Sequence, residues 1–147
     1  MRALVRASLV DPVVRGKAVE LASGERPGHS GRIVSALEGY GRAVFHFTRD
    51  PHGVELLHTP AWMLREIAQR GKTYVDCDDA ALLLAALGEA VGIPARFVAV
   101  AFFDRAAPYS HVWVELFDGR GWRILDPTRG SQPLDVTLVT RIMTLDV

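Results

Sequence analysis

Three residue types that together perform nucleophilic chemistry lie along the second half of this chain: Cys77, His111 and Asp126. Cys77 is the sole cysteine, set in "YVDCDDAALLL" with Asp76, Asp78 and Asp79 around it. A thiol attacks a carbonyl as its thiolate, and neighbouring carboxylates oppose that ionisation. A helix starting at this point offsets the conflict. With Asp76 as N-cap, the carboxylate accepts from the free backbone N–H of Asp78 or Asp79. Cys77 then takes the first helical position, where unpaired N–H groups and the positive helix end favour an anion. Asp78 and Asp79 are turned roughly 100° and 200° around the helix from the thiol, so they serve the helix start. The thiol still lacks a cationic partner. On this stretch alone a small buried hydrophobe is the commoner fate of a free cysteine.

His111 supplies the missing partner. It opens "HVWVELF", in which His111, Trp113 and Glu115 alternate with Val112, Val114 and Leu116, so the valines and leucine face the core and the other set faces away. Asp126 ends "GWRILDP", and "DGRG" (118–121) between the two runs is a hairpin turn. Two strands joined this tightly bring His111 and Asp126 side by side. An imidazole that takes the thiol proton, held by a carboxylate that fixes its tautomer and stabilises its cation, is the arrangement thiol chemistry needs. Taken singly, His111 reads as a strand-end polar residue and Asp126 as a turn residue before Pro127.

The elements that must hold these groups are legible in outline. Residues 12–23 form a first helix closed by Gly24, "ERPGHSG" (25–31) is a loop, and residues 32–47 carry apolar groups at helical spacing, weakened by Gly39 and Gly41. "RDPHG" (49–53) is a turn. "HTPAWMLREIAQRG" (58–71) is a helix capped by Thr59, with Pro60 at its first position and Gly71 at its end. The helix from Cys77 stops at Gly92–Ile93–Pro94. Its run Ala80–Leu87 is apolar on all sides, which places it centrally in the core. Beyond Pro94 the period changes to strands over 95–103, 111–117 and 121–128, with another expected over 136–145. Helices first and strands later predict an α+β fold.

Composition bounds the rest. The chain has 147 residues, 49% of them apolar and 23% charged, with no net charge. That is enough for one core, and it lacks the charge bias of a nucleic-acid binder or a disordered tail. One cysteine excludes an internal disulfide and a multi-cysteine metal site. No signal peptide is read at the start, where Asp11 and Pro12 interrupt the apolar stretch, and no apolar run approaches the ~20 residues of a membrane span. The expectation is a cytoplasmic protein, or one packaged in a virion, with no membrane contact.

Together, "DCDDAALLLAALGEAVGIPARFVAV", "SHVWVEL" and "GWRILDPT" resemble the transglutaminase-like core of the papain-like superfamily, over residues about 74–128. The resemblance implies an α+β papain-like/transglutaminase-like core, with N-terminal helices and a central cysteine-bearing helix packed on an antiparallel sheet. It implies a catalytic nucleophile at Cys77, a base at His111 and an orienting acid at Asp126. Two positions depart from the family's habit. Val75 stands where glycine is frequent, and Asp78 follows the cysteine where protein cross-linkers often have an aromatic residue. "DCDD" and "RDPHGVELLHTPAWML" look instead like the short bacterial and phage-derived branch. One domain over 1–147 is expected, with an accessory helical part (1–57), a catalytic core (58–128) and a C-terminal strand segment (129–147).

The implied function is cysteine-dependent acyl transfer on amide bonds, by a peptidase or amidase acting on a peptide or protein, with protein cross-linking as the alternative. The oxyanion leans on the Cys77 N–H, with Gln69, Tyr74 and Trp62 as candidate second donors; Gln69 also reads as a solvated helix residue and Trp62 as core. Phe103, Arg105 and Tyr109, in "FFDRAAPYSH", are candidates for a substrate groove or simply a surface loop. No cofactor or metal is required: Asp76, Asp78 and Asp79 are explained by capping, and His46, His52 and His58 lack zinc-like spacing. A third reading is a structural or assembly module that engages a partner through the C-terminal strand "DVTLVTRIMTLDV".

Overall fold

The computed structural model describes residues 1–24, 30–51, 54, 56–129 and 135–147. Among these residues five α-helices come mostly before the strands: α1 (Arg2–Ser8), α2 (Pro12–Ala22), α3 (Ser30–Val44), α4 (Pro60–Arg70) and α5 (Cys77–Ala90). The main sheet has four antiparallel strands, β3 (Ala95–Phe102), β4 (His111–Phe117), β5 (Trp122–Leu125) and β6 (Val139–Asp146), in the order β5-β4-β3-β6. Two short strands, β1 (Phe45–Phe47) and β2 (Thr73–Val75), form a separate parallel pair.

α5 is the centre of the molecule. Leu82, Leu83, Leu84, Ala85, Ala86 and Leu87 are fully buried. The helix packs against α1, α2, α3 and α4 on one side and against β3 and β4 on the other. A helix apolar all round finds partners all round. Its C-terminus is closed by Gly92 in the left-handed conformation (φ 77°), with the Ile93 N–H donating to Gly88 O at 2.9 Å. The sheet presents Ala95, Phe97, Val114, Leu116 and Leu125 to this core. The β4–β5 turn closes as its sequence demands: Gly119 has φ 92°, and the Asp118 carboxylate accepts from the N–H groups of Arg120 and Gly121.

Several elements differ from the sequence reading. α1 precedes the helix read as first; its seven residues, about two turns, are too few for an apolar period to stand out. The segment 32–47 divides into α3 and β1, because the apolar run continues past Val44 while the backbone extends to pair with β2. Neither three-residue strand shows an alternation long enough to read. The strand read over 121–128 ends at Leu125, and a 3-10 helix (Pro127–Arg129) follows. The far face of the sheet is not simply solvent-facing. Trp113 joins Val98 and Val100 in a second apolar cluster, and Glu115 is buried beneath an Arg96 ion pair at 2.6 Å. The expected last strand is β6, antiparallel to β3 at the sheet edge. Most of the loop at 25–31, and His52 and Gly53 of the turn at 49–53, lie outside the described residues.

Candidate active site

Cys77 stands at the first position of α5, half-buried, with Asp76 as N-cap. The Asp76 side chain accepts from the Asp79 N–H at 3.4 Å, and Asp78 Oδ1 accepts from the same N–H at 2.8 Å. The thiol opens into a cavity of about 830 Å³, the size of a site for a substantial ligand.

His111 begins β4 and lines the same cavity. Its Nε2 lies 2.6 Å from Asp126 Oδ2. Asp126 is fixed in turn by the Thr128 hydroxyl, which donates to Oδ1 at 2.7 Å. The hairpin delivers this arrangement: Val114 pairs with Leu125, so the start of β4 and the end of β5 are neighbours. With Nε2 engaged by the carboxylate, Nδ1 is the nitrogen left for the thiol. Burial alone would lower the His111 pKa. Hydrogen bonds to Asp126 and to Cys77, with the charges of both groups, override it and raise the pKa from 6.5 to about 9. The imidazole therefore carries its proton at neutral pH, which is the cation that the thiol needs.

The carboxylates around Cys77 prove less hostile than their number suggests. Burial, a hydrogen bond donated to Asp76 and the charges of Asp76 and Asp79 push the Asp78 carboxyl up to about 8. A group held there is largely protonated at neutral pH, so Asp78 adds little negative charge beside the thiol. Asp79 has a different task. It is almost wholly buried and accepts from the His58 backbone N–H at 2.7 Å and from His58 Nδ1 at 2.6 Å. Burial raises its pKa, and the contacts with His58 pull it back. Asp79 thus ties the start of α5 to the residue just before the α4 cap, and His58 stacks on Trp62 with ring centroids 4.2 Å apart. The oxygens of Asp76, Asp78 and Asp79 lie within 4.8 Å of one another. A shared proton and the His58 bonds account for that approach, and capping alone does not.

Of the other candidates, Tyr109 lines the cavity, whereas Phe103 and Arg105 are exposed and are not among its described lining residues. Phe102, one residue earlier, takes the expected place of Phe103. Gln69, Tyr74 and Trp62 are likewise absent from the described lining. Gln69 is exposed near the end of α4, Tyr74 stands beside His46, and Trp62 is 40% exposed rather than in the core. Thr128, Arg49 and Arg129 were not singled out from the sequence, though all three line the cavity. Thr128 was visible in "LDPT" as a hydroxyl two residues past the aspartate.

The family model described as the transglutaminase-like superfamily matches residues 18–127. The chain belongs to this superfamily. Among solved structures it resembles a candidate cysteine protease from Cytophaga hutchinsonii, with a TM-score of 0.61 and 22% identity, and a candidate protease from Parabacteroides distasonis, with a TM-score of 0.68 and 16% identity. The likeness covers 89% and 97% of this chain, but only 41% and 29% of those two. At such identities the shared property is the fold. No curated protein matches the sequence. Among the described residues no helix is long and apolar enough to cross a membrane.

Proposed function

We propose that the protein is a cysteine-dependent peptidase or amidase, with Cys77 as nucleophile, His111 as acid and base, and Asp126 as the group that orients it. One observation carries this reading: His111 bonds Asp126 through Nε2 while interacting with the Cys77 thiol in one cavity. The thiolate attacks the carbonyl carbon of an amide. The oxyanion draws on the Cys77 backbone N–H, one of the unpaired donors in the first turn of α5. The C–N bond breaks as the imidazolium gives its proton to the leaving nitrogen, and a thioester remains. The now neutral imidazole takes a proton from water, hydroxide adds to the thioester, the C–S bond breaks, and the acid leaves. Asp126 stays ionised throughout.

The test is the rate of Cys77 alkylation by iodoacetamide against pH, in wild type and His111→Ala. At pH 6 a free thiol, with a pKa of about 8.5, is mostly protonated. The wild type is expected to react at least ~10-fold faster than the variant there. Matching profiles, both following an ordinary thiol, would sink the assignment.

A further inference from the structure

We infer that the cavity holding Cys77 selects substrates bearing a carboxylate close to the scissile amide, bound by Arg49 and Arg129. This rests on the proposed reaction at Cys77 and adds the class of substrate it acts upon. Both arginines line the cavity together with Cys77 and His111. They come from one side of it: β1, two residues before Arg49, packs against the 3-10 helix that Arg129 ends. That helix also carries Thr128, which holds Asp126, so one guanidinium stands three residues from the orienting acid.

Among the described residues neither arginine has a carboxylate partner, although acids are close. Asp50 has its carboxylate turned to the Leu56 N–H. Asp76 and Asp78 share a hydrogen bond and both accept from the Asp79 N–H. Asp135, which feels the charge of Arg129, bonds the N–H and hydroxyl of Thr137. Among the described residues these carboxylates bond locally, and no hydrogen bond or ion pair joins either guanidinium to one of them, although Asp50, Asp76 and Asp78 line the same cavity. Arginine stays charged at any working pH and matches a carboxylate with paired N–H donors. An aromatic wall of Phe47, Phe102 and Tyr109 borders the cavity, which suits the apolar part of a peptide.

The comparison of iodoacetate with iodoacetamide tests this directly, because the two reagents share their leaving group and differ by a carboxylate. At pH 10 a thiol is ionised without help and His111 is neutral, but Asp50, Asp76 and Asp78 also line the cavity and act on the same reagent, so the arginines are read from the change in the ratio when they are removed. The expected ratio for Cys77 is about ten times that of the Arg49→Gln/Arg129→Gln double variant, from two cations at contact range. The difference should shrink in 1 M salt. A ratio that the double variant leaves unchanged or raises overturns the inference. This holds even if the pH 6 experiment shows no thiol–imidazole pair, so the two failures are distinct. Competition then identifies the source of the carboxylate. An acetylated glutamyl peptide amide that slows alkylation indicates a side chain, and a neutral peptide with a free C-terminus that does so indicates a terminal carboxylate. Equal protection by a neutral peptide amide, or protection by none, overturns the substrate assignment.

Discussion

Replacing Asp126 with asparagine keeps the shape of the side chain and removes its charge, so it isolates what the carboxylate does for His111. The rise of the His111 pKa from 6.5 to about 9 corresponds to roughly 3 kcal/mol of preference for the charged ring. Burial works against that rise, and Asp126 stands ahead of Cys77 among the groups that produce it. A share of about 2 kcal/mol for the carboxylate follows, in line with a hydrogen bond to a charged group. The pH dependence has a definite sign. Below pH 6.5 the imidazole is charged in the folded and unfolded chains alike, and the full stabilisation is present. It is lost as pH rises through about 9, where the folded ring gives up its proton. In urea unfolding, Asp126→Asn should therefore cost about 2 kcal/mol at pH 6, and under ~1 kcal/mol at pH 10, where only a neutral hydrogen bond is left. A loss of equal size at both pH values would show that the residue matters through packing. A wild-type His111 titrating near 6.5 by NMR would refute the electrostatic account outright.

Thr128→Val deletes the hydroxyl bond to Asp126 Oδ1 while preserving volume. It should cost about 1 kcal/mol in urea unfolding and slow alkylation of Cys77 at pH 6 several-fold. Asp79→Ala leaves the His58 N–H and Nδ1 without their buried acceptor, and a loss of about 2–4 kcal/mol is expected by the same assay; a change under ~1 kcal/mol would mean the tie is unimportant. Asp78 has a folded pKa raised to about 8, so the folded chain binds a proton that the unfolded chain releases near pH 4. Wild-type stability should decline from pH 4 to pH 8 relative to Asp78→Asn, and a constant difference between the two would contradict the shared proton. Phe103→Gly relieves a non-glycine residue at φ 66° whose side chain is 79% exposed; differential scanning calorimetry should show a melting temperature a few degrees higher, and a lower one would mean the ring packs on something essential.

How far the sequence reveals this molecule depends on the kind of interaction involved. The course of α5 was readable from both ends, because Asp76 and Gly92 solve local backbone problems that few other residues solve. The β4–β5 hairpin was readable for the same reason, and with it the meeting of His111 and Asp126. What escaped is set by contacts between distant segments. Asp79 looked like a helix-start acid, yet its partner is His58, and no local pattern announces a bond of that span. Capping alone predicts that Asp78 and Asp79 turn from the thiol, yet Asp78 lines the same cavity as Cys77, where burial and Asp76 keep it largely protonated. Trp62, an oxyanion candidate that also reads as core, is at the surface, where a stacked histidine gives its ring a resting place. Of the oxyanion and groove candidates Tyr109 lines the cavity, and the described lining also holds Arg49 and Arg129, 80 residues apart in the chain, whose meeting no local pattern announces.

Because α5 is enclosed by four helices and two strands, the amides of its buried middle, from Ala81 to Leu87, are shielded from solvent until the surrounding elements part. Their hydrogen exchange should therefore fall in the slowest class, with protection equal to the global unfolding free energy. Arg49 and Tyr109 lie outside the helices and the sheet, and their amides should exchange through much cheaper local openings. The proposed nucleophile would then ride on the last part of the protein to come apart, and the surfaces proposed to choose a substrate on the first. A lineage could rewrite the segments of Arg49 and Tyr109 without disturbing the thiol, whereas that of Arg129 also holds Asp126 through Thr128, which gives a physical route from one buried helix to many specificities.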